Sequence, residues 1–301
     1  MTIAITTPTG NIGSVVTAKL LEAGEKPILV ARDPSKLQDA IDRGATAFQG
    51  DHGDADLLLE ATKGAGALFV CVPGAIDVED IHEFYGRYAR AAAWAATENG
   101  IGHVVLLSSA GADKESGNGP VAGLHLAEQI LREAAIPNLT LLRPGYFMEN
   151  TLLQIPSILE AGKLFTTFPA GTTFPMIATR DIGARAAAEL LNPDSLGLRV
   201  VELHGGPETG YEEVASILSE VLERPLEHVT VSGEQLVAAV TGMGVSRVLA
   251  ESLVELADAI TSGHVGHREE RSADNTTPTD YATFAREVFR PAIMGAMEAQ
   301  G

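Results

Sequence analysis

The chain has 301 residues with 21 basic and 40 acidic side chains, a formal net charge of −19. At 45% hydrophobic and 20% charged it has the composition of a folded globular protein, which excludes wholesale disorder. The acid surplus excludes a general nucleic-acid binder, since no cationic excess is left to neutralise phosphates.

The first half alternates short apolar runs with longer amphipathic stretches. Strands are predicted over 3–6, 27–31, 45–48, 67–72, 103–107 and 139–142, and helices over 11–23, 35–42, 54–62, 80–98 and 121–135. Runs such as Leu68-Phe69-Val70 and Val104-Val105-Leu106-Leu107 are continuously apolar, as strands covered on both faces are. This βαβ rhythm predicts an α/β protein with a Rossmann-type doubly wound parallel sheet. After Arg143-Pro144-Gly145 the rhythm changes. Helices are expected over 179–191, 211–223, 234–240 and 246–262, with short strands at 199–203 and 227–231. The expected division is a dinucleotide-binding domain over 1–149 and a smaller, mostly helical substrate-binding part over 150–301, packed on it without a linker.

The first strand runs into Thr7-Pro8-Thr9-Gly10-Asn11-Ile12-Gly13 and then a helix. In that setting Gly10 lets the backbone approach a pyrophosphate, Gly13 permits close packing of helix on sheet, and the helix amides favour an anion. A tight turn without a ligand is the alternative. Arg32 follows the second strand, where an NAD-specific fold places a diol-binding acid; an arginine there suits a 2′-phosphate, and Lys36 adds a second charge one turn on. Both cations also suit a solvated surface. Asp33-Pro34 reads as a helix cap and first helical residue.

Thr-Gly-Asn-Ile-Gly after the first strand, Ala-Arg-Asp-Pro-Ser-Lys after the second and Leu-Arg-Pro-Gly-Tyr-Phe-Met-Glu-Asn after the sixth resemble atypical short-chain dehydrogenases. The group most resembled is the NmrA-like family with its NADPH-dependent quinone oxidoreductases. The likeness extends to Thr179-Arg180-Asp181-Ile182-Gly183 and to the closing segment 278–289. One departure stands out, because the family has glycine where this chain has Thr7. The resemblance implies NADPH as cofactor, held by Thr7, Thr9, Gly10, Asn11, Ile12, Gly13, Arg32 and Lys36. It also implies Asp51 near the adenine, Val72, Pro73 and Gly74 beside the ribose, and Ser108 near the nicotinamide. A turn or capping role for Asp51 is the alternative.

Ordinary short-chain dehydrogenases use a Tyr-x-x-x-Lys pair as general acid. Four residues after the five tyrosines, 85, 88, 146, 211 and 281, stand Ala89, Ala92, Asn150, Ala215 and Ala285, so that pair is absent. His125 falls at the expected lysine position and Val121 at the tyrosine position. Catalytic roles are therefore expected for His125 and Ser108, against a structural histidine as the alternative. Tyr146, Phe147 and Met148 are expected as an aromatic wall against the substrate, or else a packed seam. Asn150 orients a carbonyl or caps a helix, and Phe174 with Met176 is expected to complete a lid.

Hydride addition to a quinone gives a stabilised aromatic anion, so a site without a strong proton donor matches a quinone-like or polycyclic aromatic substrate. Two alternatives stay open: a regulator that senses NADP(H) without turnover, and an oxygenase or cyclase of aromatic polyketides on a Rossmann shell that no longer uses a dinucleotide. Cys71, the single cysteine, reads as a small buried hydrophobe, and the loop with His264 and His267 as solvated rather than metal-binding. No apolar run reaches the roughly 18–20 residues that span a bilayer, and no secretion signal is evident, so a cytoplasmic protein without membrane contact is expected. Homodimer formation is compatible with the sequence.

Overall fold

The computed structural model describes residues 1–192 and 196–299. Six strands follow the predicted rhythm: β1 (Ile3–Thr6), β2 (Ile28–Ala31), β3 (Thr46–Gln49), β4 (Ala67–Val70), β5 (His103–Leu107) and β6 (Asn138–Pro144). With a seventh strand, Gly197–Leu203, they form one parallel sheet in the order Gly197–Leu203, β6, β5, β4, β1, β2, β3. The order reverses direction at β1, so the crevice beside its carboxyl end is the topological switch point where such sheets bind ligands.

Both faces of the sheet are covered, as the continuous apolar runs require. On one face Ile12, Val16 and Leu20 of α1 (Asn11–Glu22) pack with Ile182, Ala186 and Leu190 of the helix Thr179–Leu191 over Ile3, Ile5 and Phe69. On the other, Leu58, Ala89, Ala92 and Leu131 come from the helices Ala55–Ala61, Ile81–Glu98 and Val121–Glu133 and pack against Ala4, Leu68 and Leu106. The alanines of the second of these helices let it lie close to the strands.

The second part has its own core, in which Phe168, Phe174, Met176, Tyr211, Phe284 and Phe289 are buried together. Two small parallel pairings frame it, Lys163–Thr166 with Glu227–Thr230 and Tyr146–Phe147 with Met176–Ile177. The expected boundary at residue 149 cuts the main sheet rather than bounding it. The helix Thr179–Leu191 and the strand Gly197–Leu203 return to complete it, the strand pairing with β6 from Gly197↔Asn138 to Leu203↔Pro144.

Two expectations are corrected in this part. Met148, Phe174 and Met176 are core residues, 1%, 4% and 0% exposed, and form neither a substrate wall nor a lid, because their apolar side chains fill the second core. The loop bearing His267 is not solvated around that ring: His267 stacks on His204 with centroids 3.9 Å apart, and burial pushes its pKa down to about 4. No group of metal-binding side chains occurs among the described residues. Nor does any helix among them have the length and apolarity to cross a membrane.

α1 and the helix Thr179–Leu191 meet at Gly183, where a Cβ would stand 2.7 Å from Val15 Cβ and 2.9 Å from the Ile12 carbonyl oxygen. Gly183→Val is therefore expected to destabilise the protein by about 1–3 kcal/mol through overpacking. The midpoint of urea denaturation should fall with an unchanged slope, and an unchanged midpoint would refute the contact.

Candidate functional site

At the carboxyl ends of the strands lies a cleft of about 810 Å³. β1 enters it through Thr7, whose φ of +51° is left-handed, an uncommon and costly conformation for a β-branched residue. The turn is closed by Gly10 N–H donating to Thr7 O at 3.0 Å. A Cβ on Gly13 would lie 2.1 Å from that same carbonyl oxygen, so only glycine allows α1 to start this close to the strand. No acidic residue occupies the first turn of α1, and Thr7, Thr9, Gly10, Asn11, Ile12 and Gly13 all line the cleft. Thr7 Oγ1 is buried, with the Cys71 thiol as its neighbour.

Arg32, just beyond β2, lines the cleft with its side chain exposed and forms no ion pair among the described residues. Lys36 departs from expectation. It is exposed on the short 3-10 turn Pro34–Leu37 and does not line the cleft, because Asp33 caps that turn through Ser35 N–H at 3.1 Å and fixes its direction.

Asp51 follows β3 and both lines the cleft and makes a turn. Its Oδ1 accepts from Gly53 N–H at 2.9 Å, while Oδ2 accepts from Arg87 at 3.3 Å and from the Tyr88 hydroxyl at 3.2 Å. Burial alone would raise this carboxyl, but the Gly53 amide and the Arg87 guanidinium hold it below the usual range. Beside it His52 is 4% exposed, and burial pushes its pKa down to about 4, so the ring is neutral at pH 7. After β4 come Cys71, Val72, Pro73 and Gly74, all on the cleft wall. Cys71 is half-buried there and packs against the first core; its N–H donates to Thr6 Oγ1 at 2.9 Å, and burial pushes its thiol up.

Ser108 ends β5 and lines the cleft, yet its hydroxyl proton is committed. It donates to Glu128 Oε1 at 2.6 Å, and that carboxylate is held by Arg143 Nε and Nη2 at 2.9 and 2.6 Å. All three residues are buried. Ser108 therefore presents only lone pairs to the cleft.

His125 is not brought to the cleft, contrary to expectation. Its neighbour Leu124 lines the wall, while the ring turns to the carbonyl oxygen of Ala112, 2.9 Å from Nδ1. Helical geometry is the reason: one residue along a helix rotates the side chain by about 100°, enough to carry it off the cleft face.

Tyr146 and Phe147 do line the cleft. Tyr146 is also locked into the second core, its ring edge-on to Phe168 and Phe174 and its hydroxyl 3.2 Å from that of Tyr211. Sequence reasoning missed Glu149, which lines the cleft too. Its Oε1 and Oε2 both accept from Thr179 N–H at 3.0 Å, Oε1 also from Thr179 Oγ1 at 2.6 Å, and burial pushes its carboxyl up against these bonds. The signal available was an acid five residues beyond the end of β6. The helix Arg247–Thr261 was also missed as a wall; it contributes Leu249, Leu253 and Leu256.

The profile of the NmrA-like family matches residues 1–285. The chain belongs to that family. An NAD(P)H azoreductase of Xenophilus azovorans is 32% identical over 256 residues, 82% of this chain and 83% of that protein. Quinone oxidoreductase 2 of Escherichia coli (strain K12) is 27% identical over 256 residues, 84% of this chain and 86% of that protein. An Escherichia coli NADPH-dependent quinone oxidoreductase solved in complex with NADPH superposes with a TM-score of 0.80 at 25% identity. That likeness covers 95% of this chain and 99% of that one.

Two predictions follow from this geometry. His125→Ala should lower stability by about 0.5–1.5 kcal/mol, the net worth of one hydrogen bond, and leave dinucleotide affinity unchanged; a large loss of affinity with stability intact would return the ring to the cleft. His52 binds its proton only in the unfolded chain between about 6.5 and about 4, so stability should fall as pH drops through that interval. His52→Gln should flatten the pH dependence of the unfolding free energy by about one proton, and an unchanged slope would place the titration elsewhere.

Proposed function

We propose that the protein is an NADPH-dependent oxidoreductase that transfers hydride to a quinone-like or polycyclic aromatic acceptor. The observation that carries this reading is the continuity of the cleft. It runs from the glycine turn and a free Arg32, past lone pairs at Ser108, to an aromatic and aliphatic wall. The azoreductase and quinone oxidoreductases to which the chain is similar support it.

The residues fit the cofactor. The turn from Thr7 to Gly13 presents α1 amides to a pyrophosphate. Arg32 pairs with a 2′-phosphate, Asp51 serves the adenine end, and Val72, Pro73 and Gly74 border a ribose. When bound, the reduced nicotinamide supplies a hydride. Ser108, its proton held by Glu128, accepts a hydrogen bond and orients the ring carboxamide rather than giving up a proton.

Tyr146 and Phe147 form the floor under a flat acceptor. His125 is assigned here to holding the start of its helix against Ala112, and not to proton transfer. With no Tyr-x-x-x-Lys pair, acceptors whose reduced form is a stabilised anion need least from the protein, which favours quinones over simple ketones.

Arg32→Ala tests the cofactor. Loss of a charge-assisted bidentate contact costs about 1.5–3 kcal/mol, so NADPH affinity should fall roughly 10- to 150-fold while NADH affinity scarcely changes. Isothermal titration of both dinucleotides checks this, and equal losses would refute the 2′-phosphate assignment. Oxidation of NADPH by phenanthrenequinone, followed by absorbance, tests the reaction itself.

A further inference from the structure

The hydroxyl groups of the five tyrosines fall into two kinds. Tyr88 donates to Asp51 Oδ2 at 3.2 Å, Tyr281 donates to Thr151 Oγ1 at 2.9 Å, and Tyr146 and Tyr211 pair with each other at 3.2 Å. The fifth, Tyr85, lines the cleft, and its hydroxyl bonds to nothing among the described residues. That hydroxyl is not sealed in the interior either, so a ligand in the cleft can meet it.

Two helices put it there. Tyr85 stands near the start of the helix Ile81–Glu98 with Ile81 and Phe84, at spacings that turn all three to the cleft. Its ring rests on the helix Val121–Glu133 at Gly123, where a Cβ would stand 2.4 Å from Tyr85 Cδ2. Gly123 is midway between Val121 and His125, the positions at which an ordinary short-chain dehydrogenase carries its tyrosine and lysine. A tyrosine from the neighbouring helix therefore covers the stretch where the missing pair would stand. The Cys71 thiol beyond β4 is another neighbour. β4 and β5 lie on the side of β1 away from β2 and β3, so this wall belongs to the nicotinamide half of the cleft, away from Arg32 and Asp51.

We propose that Tyr85 is a catalytic hydrogen-bond donor, its hydroxyl binding the acceptor oxygen on which negative charge develops; the inference rests on the hydride-transfer reading above. For a quinone, hydrogen leaves C4 of the reduced nicotinamide with the electron pair of its C–H bond and forms an O–H bond at one quinone oxygen. The ring becomes aromatic, the second oxygen takes the negative charge, and the dinucleotide is oxidised. Water protonates that oxygen after release and gives the hydroquinone, so Tyr85 keeps its own proton throughout. In a Tyr-x-x-x-Lys pair the ammonium makes the phenol more acidic. Here burial, with the Cys71 thiol beside it, pushes the Tyr85 hydroxyl up to about 12. A donor that stays protonated on a wall shielded from water stabilises an oxyanion without giving up its proton.

Tyr85→Phe removes the hydroxyl and keeps the ring on Gly123, so the fold is preserved. Calorimetric binding to the full-length protein with NADP+ present gives a readout that does not depend on turnover. The probes are 4-nitro-1-naphtholate, an analogue of the anionic product, and 1-nitronaphthalene, its uncharged counterpart. Tyr85→Phe should weaken the naphtholate roughly 10- to 150-fold, the range for one hydrogen bond to a charged group, and leave nitronaphthalene unchanged. With phenanthrenequinone, kcat should fall by a similar factor while NADPH affinity and the urea midpoint stay as they are. Across substituted quinones the loss should grow with the basicity of the hydroquinone oxygen, because a stronger base gains more from a donor; a ring that only packs gives no such slope. Failure of the naphtholate to bind the wild type, equal changes for both probes, or undiminished quinone turnover in the variant would overturn the proposal. Absence of NADPH oxidation by phenanthrenequinone in the wild type, with naphtholate binding selectively lost in the variant, would instead overturn hydride transfer and leave Tyr85 as the oxyanion donor.

Discussion

The closeness of α1 to the end of β1 is the constraint on which the site depends. The helix begins within van der Waals contact of the Thr7 carbonyl, and Gly13 is the residue that permits it. Its other side is pinned by Gly183 of the helix Thr179–Leu191, so α1 is clamped between strand and helix at two places where no side chain fits. A helix held this firmly keeps its amide groups aimed at one point, and a fixed array of donors loses little entropy when an anion arrives. The strain at Thr7 belongs to the same arrangement: the left-handed φ is imposed by the tight turn although threonine is ill suited to it.

A second anchor stands where β5 and β6 end. Glu128 and Arg143 form a buried, bidentate ion pair that also takes the Ser108 proton. Buried pairs of this kind add little net stability, because desolvation cancels much of the attraction, but they tolerate few alternative geometries. Here the pair joins a strand end, the next strand and the intervening helix, and it fixes the rotamer of the Ser108 hydroxyl on the cleft wall. Catalytic expectation placed His125 on that helix. Glu128, three positions on, is the residue that faces inward and binds Ser108 and Arg143.

Much of the fold was legible because two periods dominate it. Continuous apolar strands and helices with one apolar face identified β1 to β6 and the helices between them, with boundaries within a few residues. The glycine turn, Arg32 and Asp51 were legible because each sits at a strand end, a position that sequence order alone defines. What failed to show were side-chain directions and distant pairings. His125 and Leu124 are adjacent in sequence, yet only one faces the cleft. Met148, Phe174 and Met176 looked like exposed aromatic or soft surface because their partners, Tyr211 and Phe284, lie far along the chain. Glu149 was obscured for the same reason, its ligands being on Thr179. The strand Lys163–Thr166 escaped notice since its pairing partner begins at Glu227.

The return of the strand Gly197–Leu203 to the edge of β6 has a consequence for biosynthesis. A chain emerging from the ribosome presents β1 to β6 well before the segment that covers them. Until residues 179–203 appear, the face bearing Ile3, Ile5 and Phe69 lacks Ile182, Ala186 and Leu190, and β6 is an open edge able to pair with a neighbouring chain. The half that contains β1 to β6 is therefore not an independent cotranslational unit. Its folding waits for the excursion through the second core to return, and nascent chains stalled before that point are the species most exposed to aggregation.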